Sequence, residues 1–354
     1  MRRKHLARAA LALLEGRALC WEGYPVVKKV LWERQHRKCA WCGRPMSHAS
    51  QPVEHYRPKG CADRSDASAT PPQKGPVDAG YWWLAWTWDN LLFGCATCNG
   101  HKLDLFPLLS ARRATVPRSG VVLGDDDPAF DVSAEEPALL DPARDDPTRH
   151  ITWRPENPSE AHDQLRWRPY GRTARGRSTI EALHFKGWLA DHVTEHLRRL
   201  WAAHVKAIVR QFSQGRMAEA RRAWAEMIGA HFAPRATLHA ATWDGLCYFV
   251  TRERLEGYHL PLPRPGAAPA QGPREAPLAE PAALRALPDA LRLLVHAEEA
   301  ATPELMLRLY DHAAWTDETM AEALSLTTAT VQRHRRALAA SVTATAGGFR
   351  RAGL

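Results

Sequence analysis

Four of the seven cysteines fall in two pairs, Cys39-x-x-Cys42 and Cys95-x-x-Cys98. Four thiolates are the soft, tetrahedral set that zinc prefers. Such a site leaves no coordination position open, so its expected role is a structural Zn2+ whose binding adds folding energy. Between and beside the pairs stand the residues that could do chemistry. Glu54-His55 opens the run Glu54-His55-Tyr56-Arg57-Pro58-Lys59. Trp88-Asp89-Asn90-Leu91-Leu92 precedes the second pair, which continues into Asn99-x-His101-Lys102. Joining the two pairs at one metal folds these segments onto one another, so a carboxylate, an imidazole and carboxamides converge beside cations. That collection suits phosphodiester hydrolysis. A neutral imidazole at His55 can take a proton from water near pH 7. A hard cation prefers oxygen donors, which Glu54 and Asn99 offer. Arg57, Lys59 and Lys102 are placed to hold flanking phosphates.

Charge points to a polyanionic partner. The net charge is +9, and residues 1–60 hold 13 Lys and Arg against 4 Asp and Glu, while the remaining residues hold 35 of each. The whole excess therefore sits beside the cysteine pairs, a field that attracts nucleic acid. No window approaches 18 uninterrupted apolar residues, so no membrane span is expected. Met1-Arg2-Arg3-Lys4-His5 begins like a leader, but Arg8 and Glu15 interrupt the apolar stretch after it, and the segment reads as a basic helix. Paired thiolates without a leader place the chain in a reducing cytoplasm.

At 354 residues, 45% apolar and 25% charged, the chain suits two or three globular domains and excludes a fibrous or wholly disordered protein. The expected class is α+β and mostly helical. Residues 1–35 read as a basic helical segment and 36–110 as the zinc-stapled core. Within that core, residues 60–80 read as a turn-rich loop, and the shared parity of Trp82, Trp86 and Trp88 suggests a strand with one packed face. Residues 111–150 read as an acidic surface connection, with Asp125-Asp126-Asp127 as a solvated run. Residues 151–258 are helical. There Ser178-x-x-Glu181 reads as a capping box, and Leu189, Val193, Leu197, Leu200, Val205, Ile208 and Phe212 mark one long amphipathic helix. A second helix is expected over 216–232, ended near Pro234. Residues 259–283 form a Pro- and Ala-rich linker. Residues 284–354 form a C-terminal helical domain whose Asp317–Leu324 and Thr330–Ala340 segments have a helix–turn–helix pattern, with Arg333, Arg335 and Arg336 on its second helix.

The residues around the cysteines resemble the HNH (ββα-metal) endonuclease family: a Glu-His strand, a central Asn, and a last His or Asn opening a helix, framed by Cys-x-x-Cys knuckles. Glu54-His-Tyr-Arg-Pro-Lys59, Gly80-Tyr-Trp-Trp-Leu-Ala85, Trp88-Asp-Asn-Leu91, Cys98-Asn-Gly-His-Lys102 and Phe106-Pro-Leu108 look like the HNH subfamily of Septu-type and some retron antiphage systems. Leu139-Leu-Asp-Pro142 and the Thr179-Ile180 helix fit its downstream pattern. The resemblance covers residues 25–210. It implies that His55 is the general base, that Glu54 and Asn99 bind the catalytic metal and that Asn90 braces the loop opposite His55. Asn99 stands where the name-giving motif has a second His, which favours Mg2+ or Mn2+ over transition metals. The resemblance also implies a nucleic-acid substrate, DNA favoured, and an ABC-type ATPase partner. Two other readings stay open: a zinc-stapled nucleic-acid-binding module without catalysis, and a nuclease silent until its partner docks. His101, two positions beyond Asn99, points away from it and is expected at the surface. Cys20, Cys61 and Cys247 show no pattern for nucleophilic catalysis.

Overall fold

The computed structural model describes residues 2–49, 51–121, 123–124, 127–263, 316–324 and 326–336. Asp125, Asp126, most of the linker and much of the C-terminal segment lie outside these residues. The described chain is α+β and mostly helical, as the sequence predicts. Two compact units form, one from Met1–Glu22, Thr115–Val132 and Arg274–Leu354, the other from Gly23–Ala114 and Ser133–Pro273.

In the first unit, helix α1 (Arg2–Leu14) buries Leu6, Ala7, Ala9 and Ala10. Leu14 packs where a Cβ on Gly120 would lie, 3.1 Å away. The helix Asp317–Leu324 is followed by helical residues 328–336, and residues 337–340 of the expected second helix lie outside the described residues. Arg335 pairs with Asp317 at 3.1 Å, binding the second helix back to the first.

The second unit opens with α2 (Pro25–Arg34), whose proline pre-sets φ for the first helical turn. Strand β1 (Val53–His55) pairs antiparallel with β4 (Leu91–Phe93), setting Glu54 opposite Leu92 and His55 opposite Leu91. Helix α3 (Ala96–Lys102) comes directly after β4, with Cys95 as its N-cap. The expected loop over 60–80 contains a small antiparallel pair, β2 (Cys61–Asp63) and β3 (Val77–Ala79). The tryptophan segment corrects the expected strand. It forms 3-10 turns at Trp82–Leu84 and Trp88–Asn90. Trp82, Trp83 and Trp86 are nonetheless buried, because a tight turn points consecutive side chains into the core where a strand would alternate them.

The helical region begins with a hairpin that periodicity does not reveal, β5 (Ile151–Pro155) against β6 (Trp167–Gly171). Helix α4 (Ala174–Ala182) starts earlier than Ser178-x-x-Glu181 suggests. Thr173 Oγ1 caps it by accepting from the Gly176 amide at 3.1 Å, while Ser178 lies inside and meets Ser68 Oγ at 3.1 Å. The long amphipathic run is present as α5 (Ala190–Leu200) and α6 (Lys206–Ser213), joined through wider π turns. All seven of its predicted apolar positions are buried. Helix α7 (Met217–His231) ends just before Pro234, as expected, and α8 (His239–Phe249) and α9 (Arg252–Gly257) complete the packing. Cys39, Cys42, Cys95 and Cys98 share one buried cluster with Ile151, Phe185 and Leu189 of this region. The segment expected as surface connection is only partly so: Glu135, Leu139, Leu140 and Asp141 are buried.

Candidate active site and metal centre

The four cysteine sulfurs lie within 4.8 Å of one another, and all four residues are buried. A tetrahedral zinc with bonds of about 2.3 Å places sulfurs roughly 3.8 Å apart, so the donor set fits that ion. Backbone amides support thiolate charge: Cys95 N–H donates to Cys39 Sγ at 3.2 Å and Cys98 N–H to Cys95 Sγ at 3.4 Å.

Beside this centre, Glu54 and His55 are 4% and 5% exposed. The Glu54 carboxylate meets Lys102 Nζ at 2.9 Å. Burial pushes the Glu54 carboxyl up from its ordinary range, and the Lys102 ammonium opposes that rise. Close packing against the second strand is possible because Gly94 lacks a side chain: a Cβ there would sit 3.0 Å from Glu54 Cβ. His55 Nε2 lies 3.0 Å from the Ala85 carbonyl. A carbonyl only accepts, so Nε2 carries the proton and Nδ1 is the basic nitrogen of the neutral ring. The Tyr24 ring meets the imidazole edge-on at 4.9 Å and stacks on Trp86 at 4.6 Å.

Asn90 is a brace. Its Oδ1 accepts from Arg57 N–H at 2.7 Å, and its Nδ2 donates to the Arg57 carbonyl at 3.0 Å and the Leu84 carbonyl at 3.2 Å. It thus ties the segment after β1 to the turn that holds His55. Asn99 lies on α3, part-exposed.

Two of the three cations expected on phosphate are committed inside the protein. Lys102 is 1% exposed and donates to Glu54, to the His55 carbonyl at 2.9 Å and to the Leu103 carbonyl at 3.4 Å. Its ammonium has all three donors used. Arg57 Nε pairs with the buried Glu135 at 2.9 Å. Lys102 therefore has no N–H left for a ligand, while Arg57 is held through Nε. Lys59 is half-buried, with Nζ 5.1 Å from the Tyr24 ring centroid. Burial draws its ammonium down, while Glu54 and Asp104 hold it up.

Sequence reasoning missed Asp104, Glu135 and Tyr24. The Asp104 carboxylate acts on both Glu54 and Lys59 and accepts from the Cys61 thiol. Its place depends on Leu103 adopting φ 45°, a left-handed turn that no spacing rule announces. His101 is part-exposed and stacks on His184 at 4.6 Å.

Fold and site together define an α+β protein with a buried four-cysteine cluster that fits a structural zinc and, beside it, a buried acid–imidazole pair. Over 131 residues the chain is 33% identical to the Septu protein PtuB of Bacillus mycoides (strain KBAB4), covering 36% of this chain and 38% of that protein. The chain therefore spans well under half the length of the relative it matches. No family model matches the chain, and no solved structure matches it. Among the described residues, no helix is long and apolar enough to cross a membrane.

Proposed function

We propose that this chain is a metal-dependent HNH-type endonuclease that hydrolyses phosphodiester bonds in nucleic acid, DNA favoured. We further propose that it serves a bacterial antiphage system beside an ABC-type ATPase. One observation carries the reading: Glu54 and His55 are buried side by side on β1, against β4 and α3, with the imidazole tautomer set by the Ala85 carbonyl. In this reading Glu54 and Asn99 would hold Mg2+ or Mn2+, which would supply Lewis-acid stabilisation of the charge that develops on phosphate. His55 Nδ1 takes the proton from the attacking water. Asn90 keeps the imidazole from drifting by fixing the turn behind it. Lys102 opposes the upward push that burial exerts on the Glu54 carboxyl, favouring the ionised form that a metal ligand needs. The four cysteines hold a structural Zn2+. The Septu relative supports the defence role.

Incubating the protein with plasmid and total RNA, with Mg2+, with Mn2+ and with EDTA, tests the reading. Cleavage is expected with either metal and is lost with EDTA. His55→Ala is expected to lower the rate at least about a hundredfold while keeping zinc and melting temperature. Full activity in that variant refutes the role of His55. A second reading, a binding module without catalysis, draws on the internal commitment of Arg57 and Lys102. It predicts nucleic-acid binding with no metal-dependent nicking, even with the ATPase present.

A further inference from the structure

We infer that the phosphate backbone of the nucleic acid is held by an arginine collar at the first zinc knuckle: Arg34, Arg37 and Arg44, with Arg235 beside them. The partner's identity rests on the nuclease reading. The collar itself rests on placement, charge and spacing.

Close to His55, Lys102 is fully committed inside the protein and Arg57 is held through Nε by Glu135, so an extended strand needs further grip beyond these cations. The segment 23–60 holds eight Lys and Arg against two Asp and Glu, Glu33 and Glu54, and Glu54 is already paired. Among the described residues, Arg34, Arg37 and Arg44 form no ion pair with a carboxylate. Each instead lies over a tryptophan: Arg34 is 5.7 Å from the Trp88 ring centroid, Arg37 4.8 Å from Trp32, and Arg44 5.9 Å from Trp188. Trp32 is itself pinned, donating from Nε1 to the Met46 carbonyl at 2.6 Å. A guanidinium resting on an indole is held in place by one face while keeping its in-plane N–H groups, the geometry that meets phosphate oxygens.

The backbone brings these arginines together. Met46 N–H donates to the Arg37 carbonyl at 2.9 Å and Cys39 N–H to the Arg44 carbonyl at 2.9 Å, closing the knuckle into a tight loop with Arg37 and Arg44 on its two arms. Arg34 ends α2 just before it. His36 and Arg37 both adopt left-handed conformations, φ 56° and 64°. Such strain in non-glycine residues persists only where surrounding bonds impose it, and it clusters at functional sites. Burial first, then Lys38 and Arg235, holds the His36 imidazole below its ordinary range, so a positive field from two elements meets at this point.

The collar is also correctly spaced. Helix α2 begins beside Tyr24, edge-on to His55, and ends at Arg34. Ten residues at 1.5 Å each span about 15 Å, or four to five steps of duplex. A strand with its scissile phosphate at His55 therefore reaches the collar within half a helical turn.

Anisotropy of a fluorescein-labelled duplex, and of its single strand, tests this in divalent-free buffer between about 50 and 200 mM salt. The triple variant Arg34→Gln, Arg37→Gln, Arg44→Gln is expected to bind at least tenfold more weakly, with a log–log salt slope smaller by about 3. A matched variant, Arg199→Gln, Arg216→Gln, Arg252→Gln, removes the same charge from surface pairs on other helices and is expected to keep the wild-type slope. Equal binding by collar variant and wild type overturns the inference. So does a wild type that binds neither probe, or a collar variant that loses zinc, which would make the arginines counter-charges for the metal centre. His55→Ala is expected to bind as wild type does. If the wild type binds but shows no metal-dependent cleavage, even with the ATPase present, while the collar variant fails to bind, the nuclease reading falls and the collar stands. If His55→Ala is inactive while the collar variant binds, the collar alone falls.

Discussion

Lys102 and Glu54 form the most consequential pair at the residue scale, because each is buried and, among the described residues, their ion pair is the one that either makes. Removing one partner of such a pair leaves an uncompensated charge in a dry site. Lys102→Met is therefore expected to cost about 3–5 kcal/mol in urea denaturation. Lys59→Met, which removes a half-buried cation, is expected to cost less. The loss has a pH signature. Without Lys102, burial raises the Glu54 carboxyl further above its unfolded value. A raised carboxyl makes the folded state the better proton binder, so the deficit shrinks as pH falls from 7 and is largest near neutrality. A deficit independent of pH would show that the cost comes from packing instead. At this scale the sequence discloses Glu54, His55 and Asn90, because motif spacing constrains residues near one another in the chain. It does not disclose that Arg57 faces Glu135, a partner 78 positions away whose approach depends on the folding of everything between.

At the scale of elements, a long helical period is a better guide than a cap or the parity of a few tryptophans. The seven apolar positions from Leu189 to Phe212 are all buried, since one helix face must meet the core whatever its details. The start of α4 is masked in the sequence because Ser178-x-x-Glu181 satisfies the capping pattern while Thr173 has the better geometry. The β5–β6 hairpin escapes because its residues mix arginine and proline among tryptophans, without clean alternation. The α4–hairpin contact yields its own test. A Cβ on Gly176 would lie 2.0 Å from the His150 carbonyl oxygen, a backbone atom that cannot step aside. Gly176→Ala is expected to destabilise the larger unit by about 1–3 kcal/mol or more, read as a lowered melting temperature. Gly229→Ala on α7 meets nothing within 4 Å and is expected to be neutral or stabilising.

At the scale of the whole molecule, the acid limit of stability should be set partly by His196. Burial first, then His231 and Arg199, brings its imidazole down to about 4, and Nε2 contacts the buried Thr242 hydroxyl at 2.8 Å. The unfolded chain takes up a proton near pH 6.5 that the folded chain refuses. Stability is therefore intact above that pH and is lost as pH falls from about 6.5 toward 4, by at most about 3 kcal/mol. Comparing wild type with His196→Gln isolates the effect: the wild type should lose the greater stability over that range, and parallel curves would exclude His196. The uneven placement of charge is visible in the sequence at this scale. The use made of each cation is not, because pairing is decided by the fold.

Cys39 and Cys95 of the four-cysteine cluster are 56 positions apart in the chain, and Glu54, His55 and Asn90 all fall inside the loop they close. During translation the first knuckle emerges with only half a metal site. Until Cys98 clears the ribosome, no ion can clasp the loop, and the acid and the imidazole have no fixed neighbour. Under the proposed nuclease reading, a chain that stops before Cys98 would lack the closed loop around Glu54 and His55, and zinc supply would set when the site is completed.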